Sequence, residues 1–103
     1  MKKVQFRSWP CWVERRIYGQ TDRIALMLVD AEDGEPVAVA TVHMPDLALA
    51  ADEVVIKDYS ENEGMLECLV AADVISRPLR EVESGYVTLH ICRCLLPALE
   101  VKR

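Results

Sequence analysis

The chain has 103 residues and a formal net charge of −5, with 51% hydrophobic and 28% charged residues. That length argues against a multidomain enzyme, and residues 1–103 are expected to form one domain. The composition argues against disorder and low-complexity sequence, and the acidic balance against generic nucleic-acid binding and polybasic membrane attachment.

Taken in chain order, Val4–Arg7 is a short β-prone run that stops at Ser8-Trp9-Pro10, which is expected as a turn or a sheet edge because proline cannot donate to a central ladder. Cys11–Tyr18 follows as a strand, with Val13 and Ile17 on one face and Trp12, Glu14, Arg16 and Tyr18 on the other. Gly19-Gln20-Thr21-Asp22 is a turn. Arg23–Val29 and Val37–Met44 are the clearest strands. Both are apolar on both faces, the pattern of a strand covered on two sides. Asp33-Gly34 between them can supply a hairpin turn. The segment 46–53 fits neither class cleanly, and Glu53–Asp58 reads as another strand.

Ser60-Glu61-Asn62-Glu63 matches the capping box, with Ser60 as N-cap and Glu63 reaching back. Met65, Leu66, Leu69 and Val70 then recur at helical spacing. Gly64 falls in the first turn of this helix, where it suggests close packing against a strand. Val74-Ile75 is a short extended piece. Glu83–Leu96 reads as the last strand, entered through Ser84-Gly85, with Val87, Leu89, Ile91 and Leu95 on one face. The order is β-β-β-β-β-α-β. The expected fold is α+β: a mostly antiparallel meander of about five to six strands with one main helix packed on a face.

The two lysines near the start precede no apolar run of signal-peptide length. The apolar stretches Ile24–Val29 and Val37–Val42 are too short to cross a bilayer. The expected compartment is the cytoplasm, away from membranes, with Cys11, Cys68, Cys92 and Cys94 as free thiols.

Several constellations could carry chemistry. His90, Cys92 and Cys94 project from one strand face, and such side chains suit Zn²⁺. In-line ligands about 7 Å apart do not readily share one tetrahedral ion, so they are expected as packing residues, with no metal or cofactor bound. His43 and His90 are the groups able to act as a base near neutral pH without a large pKa shift, but no glycine-rich elbow or phosphate loop accompanies either. No catalytic residue is assigned.

Carboxylates gather in the hairpin loop, including Glu32 and Asp33, and around the helix start, at Asp58, Glu61 and Glu63. Trp9, Trp12 and Tyr18 lie among Arg7, Arg15 and Arg16. This mixture is expected first as packing, with one tryptophan plugging the core and the arginines lying over it, second as a protein interface and third as a clamp for single-stranded nucleic acid. Charge is uneven along the chain: +4 over residues 1–23, −11 over 24–76 and +2 over 77–103.

The stretches RIALMLVDAEDGEPVAVATVHMP and DEVVIKDYSENEGMLECLVAADVI, and more loosely GYVTLHICRCLL, resemble a family of small bacterial proteins found largely with phages, plasmids and other mobile elements. The family pattern often has Asn where His43 stands. The resemblance implies a bacterial or phage setting and carries no catalytic residue.

The reading that follows is a non-enzymatic protein-binding module, with Trp9, Trp12, Arg15, Arg16, Glu32, Asp33, Asp58, Glu61 and Glu63 as candidate partner contacts. The expected partner is a protein with a basic surface, such as a host defence protein of the CRISPR-nuclease kind. The alternatives are a small enzyme or metal-dependent hydrolase, and a single-strand nucleic-acid binder using the basic N-terminal edge. A homodimer through an exposed strand, Val4–Arg7 or Cys11–Tyr18, is also open.

Overall fold

The computed structural model of the protein describes residues 2–97. The chain opens with a hairpin of β1 (Lys2–Phe6) and β2 (Trp9–Tyr18), in which Val4 faces Cys11 and Gln5 faces Pro10. The turn is Arg7-Ser8, with Arg7 at φ 57°.

Pro10 therefore lies inside a strand rather than in a turn. Its carbonyl accepts from Ala31 N–H at 2.9 Å, so its nitrogen faces the same side, beyond the last pairing of Cys11 with Asp30. The missing N–H costs no ladder bond there. β2 is an interior strand, between β1 and its other neighbour, so an edge at Cys11–Tyr18 is corrected.

That neighbour is β3 (Arg23–Asp30), and β4 (Pro36–Val39) completes an antiparallel meander in the order β1-β2-β3-β4. Ile24, Leu26 and Leu28 form the inner row of β3 and are buried. The outer row is Ala25, Met27 and Val29. Val29 of this row is buried and Ala25 and Met27 are half-buried, although neither hydrophobic cluster of the described residues includes them.

The strand expected over Val37–Met44 divides between two sheets. Residues through Val39 pair with β3, and Thr41 then bridges Ile56 of β5 (Glu53–Ile56). Val42 N–H donates to Val55 C=O, and Lys57 N–H donates to Ala40 C=O, both at 2.9 Å. Because the Ala40 carbonyl turns to Lys57, the Leu26 amide on β3 loses its ladder acceptor. The Thr41 hydroxyl takes that place, accepting from Leu26 N–H at 3.3 Å.

The second sheet has the order β5-β7-β6, with β6 (Arg80–Ser84) and β7 (Val87–Arg93) joined through Gly85-Tyr86. Seven strands result, one more than expected, because Glu83–Leu96 is not one strand: its first residues belong to β6 and it ends at Arg93. Gly85 takes φ 63°, the first position of a two-residue hairpin turn where an L side chain is disfavoured.

The two sheets share one core. Val4, Phe6, Cys11, Val13, Leu26 and Leu28 of the first sheet meet Val54, Ile56, Cys92 and Cys94 around the second. The helix α1 (Met65–Ala71) adds Met65 and Leu69, fully buried, with Leu66 and Val70 packed beside them. The opposite face of the second sheet, Val55, Leu89 and Ile91, is covered by Val42, Met44, Leu47 and Leu49. These leucines explain the segment 46–53: it is a covering loop.

The capping box is corrected. Ser60–Asn62 is a separate 3₁₀ turn without a side-chain cap, and Ser60 sits at φ 55°. Gly64 at φ 95° is the N-cap of α1, and an added Cβ would meet nothing within 4 Å. Its role is conformational, not close packing. The capping carboxylate is Asp58, whose Oδ1 accepts from Leu66 N–H at 3.0 Å. Asp58→Ala is expected to cost about 1 kcal/mol of stability and Ser60→Ala less than about 0.5, measured by urea unfolding.

Glu53 anchors the loop to the far edge. Arg80 donates Nη1–H to its Oε2 at 2.9 Å and Nη2–H to its Oε1 at 3.0 Å, and Ala50 N–H donates to Oε1 at 2.9 Å. The Arg80 hydrogen bonds, then that of Ala50, lower the carboxyl from 4.5 to about 2. A lowered carboxyl contributes stability above its unfolded pKa and loses it as pH falls through the folded value. Thermal unfolding should show stability declining between pH 4.5 and about 2, with a smaller decline in Glu53→Gln.

Candidate functional site

At the end of the first sheet, three segments surround a groove of about 380 Å³. The β1–β2 turn supplies Phe6, Arg7 and Trp9. The β3–β4 hairpin supplies Asp30, Asp33, Glu35, Pro36 and Val37, and the 3₁₀ turn supplies Glu61. Its lining combines apolar Phe6, Trp9, Pro36 and Val37 with four carboxylates and the Arg7 guanidinium, and one of the four, Glu61, is paired with Lys57. Trp9 is 50% exposed at its mouth.

Local hydrogen bonds shape each wall. Asp30 Oδ1 accepts from Glu32 N–H at 2.7 Å, and Asp33 Oδ1 from Glu35 N–H at 2.9 Å. These side-chain turns hold the hairpin. Arg7 reaches across to the 3₁₀ turn, donating to Glu63 C=O at 3.3 Å and to Ser60 C=O at 3.4 Å. Its charge is thus spent on carbonyls of the opposite wall.

A second groove of about 480 Å³ runs between β4 and residues 57–62, and shares Val37 and Glu61 with the first. Lys57 Nζ–H donates to Glu61 Oε2 at 2.7 Å and lies 5.2 Å from the Tyr59 ring. This hydrogen bond lowers the Glu61 carboxyl pKa and raises that of Lys57. Buried Asn62 donates to Val39 C=O at 2.8 Å and holds the 3₁₀ turn beside β4.

The candidate partner contacts fall into separate places. Trp9, Asp33 and Glu61 meet in the first groove, with Glu32 exposed on the adjoining hairpin. Trp12 and Arg16 lie on the outer face of the first sheet, where Lys3 Nζ is 5.6 Å from the Trp12 ring and Arg16 pairs with Glu14. Arg15 turns the other way and donates to Leu96 C=O, with Cys94 Sγ at 4.0 Å. Asp58 caps α1, and Glu63 offers its carbonyl to Arg7. Arg7, Asp30 and Glu35 join the groove without having been chosen as contacts. The hairpin carboxylates were visible as a group, but their meeting with Arg7 depends on register.

His90, Cys92 and Cys94 do share a face, as their spacing requires. His90 Nδ1 lies 3.0 Å from Glu81 Oε2, with an alignment too bent for a hydrogen bond. Burial pushes the Cys92 thiol up to about 11 and raises that of Cys94, the reverse of what a thiolate ligand or nucleophile needs. His43 stacks on Tyr18 with centroids 4.2 Å apart, and its Nε2 is 2.9 Å from Thr21 Oγ1. The two histidines thus serve separate networks. Among the described residues, no group of three His, Cys, Asp or Glu side chains is placed to hold a metal ion. No described helix is long and apolar enough to cross a membrane.

The chain matches no protein-family model, no curated protein and no solved structure.

Proposed function

We propose that this chain is a non-enzymatic protein-binding module that takes a basic segment of a partner protein into the groove beside Trp9. The observation that carries the reading is the meeting of a half-exposed tryptophan with Asp30, Asp33 and Glu35, and with the Lys57-paired Glu61, beside apolar Phe6, Pro36 and Val37. Lysine or arginine side chains are recognised by this chemistry. The carboxylates attract the charge, the indole face takes the cation, and the aliphatic stem lies on Phe6, Pro36 and Val37. The −11 carried by residues 24–76 adds a long-range field of the same sign.

The sequence resemblance to mobile-element proteins supports a cytoplasmic host protein as the partner, of the defence-nuclease class. The enzymatic reading would need polar groups converging in one cleft, and the separate partners of His43 and His90 favour the binding reading over it.

Capture from a bacterial host lysate at physiological salt should retain a partner with a basic surface. Binding of that partner, or of a purified lysine- and arginine-rich peptide, should weaken at least about tenfold in Trp9→Ala and in Asp33→Lys/Glu35→Lys, read by calorimetry. Equal retention by the charge-reversed variant would remove the reading.

A further inference from the structure

Resting on the basic-segment reading above, we propose that Lys57 is a built-in competitor for the groove beside Trp9. It holds Glu61 while the groove is empty and yields it when a basic segment enters.

The four carboxylates of the lining differ in what they face. Asp30 and Asp33 each accept a backbone N–H of their own hairpin. Among the described residues, neither they nor Glu35 make a salt bridge, whereas Glu61 is paired with Lys57 Nζ at 2.7 Å. Glu61 lines both grooves, and Lys57 lines the second. The Glu61 carboxylate thus stands on the divide, with a cation of its own chain on one side and the Trp9 groove on the other.

The backbone beneath it is tied down. Asn62 donates to Val39 C=O, and Arg7 donates to the carbonyls of Ser60 and Glu63, on either side of Glu61. Lys57 N–H donates to Ala40 C=O at 2.9 Å. The side chains are what can move, and that of Glu61 is 69% exposed. An ion pair so placed is weak in water, so a second ammonium or guanidinium can displace the first. Lys57 then keeps its place over the Tyr59 ring, where its Nζ already lies 5.2 Å from the centroid. An isolated cation gains little from this exchange. A segment already held at Trp9, Asp33 and Glu35 presents its next basic side chain to Glu61 at high effective concentration, so the competition favours an extended basic segment over a single charge.

Calorimetry on the full chain tests this, with a synthetic lysine- and arginine-rich peptide as the probe. Lys57→Gln keeps the aliphatic stem and removes the charge. It should bind the peptide about threefold more tightly, the scale of an exposed ion pair. That gain should vanish when Glu61→Gln is added, so that the double variant binds as Glu61→Gln alone does. Arg93→Gln breaks another exposed ion pair, with Asp52, outside both grooves, and should leave the affinity unchanged. If Lys57→Gln binds no more tightly, or keeps its gain in the Glu61→Gln background, the competitor role is overturned. Weakened binding by Asp33→Lys/Glu35→Lys in the same series would then leave the binding-module reading intact. If that charge-reversed variant binds as the native chain does, or the native chain binds no peptide, the reading falls and the competitor role with it.

Discussion

Two sheets share one core here because a single stretch of backbone changes partner between Val39 and Thr41. Up to Val39 the chain is the last strand of the first sheet. Ala40 N–H still donates to Leu26 C=O of β3, but from the Ala40 carbonyl to Val42 the chain pairs with β5 and with Lys57 just beyond it. Such a crossing leaves β3 with an amide that has lost its acceptor, and an orphaned buried amide costs more than an ordinary hydrogen bond contributes. The side chain of Thr41 resolves this locally. It accepts from Leu26 N–H, and its oxygen is also 2.8 Å from the Tyr18 hydroxyl. A threonine is well suited to the place, because it is β-branched for an extended backbone and carries the oxygen the crossing requires.

The groove beside Trp9 follows from this crossing. Once the chain has passed into β5, residues 57–62 return along the free side of β4, where Asn62 ties them to Val39 C=O. Glu61 is thereby placed next to the β3–β4 hairpin, although they are far apart in sequence. Arg7 then joins the same turn to the β1–β2 hairpin through carbonyl contacts. The acidic rim is held by backbone turns and by a cation already engaged, so its excess of negative charge is a property of the folded frame.

Much of the frame was legible because period-two alternation is unambiguous where one face is apolar and the other polar. Val13 against Glu14 and Leu89 against His90 are of this kind. β6 was missed because Val82 alone of its five residues is apolar, so the alternation has nothing to repeat. β4 was too long because an apolar strand does not declare which neighbour each half will pair with. The capping box failed for a conformational reason: Ser60 and Gly64 both take positive φ, which breaks the single helical run the motif assumes. In the site, the parity of β2 already placed Arg15 on the face of Val13. Its adjacency to Arg16 obscured that. The convergence of Trp9, Asp30 and Glu61 depends on register and on the crossing, and neither leaves a local mark in the sequence.

The most direct measurement is the stability of Thr41→Val, which keeps the shape of the side chain and removes its oxygen. If the crossing depends on that oxygen, urea unfolding should show a loss of about 1–3 kcal/mol, the cost of leaving the Leu26 amide buried without an acceptor. A loss below about 0.5 kcal/mol, within the range of an ordinary surface substitution, would contradict the account.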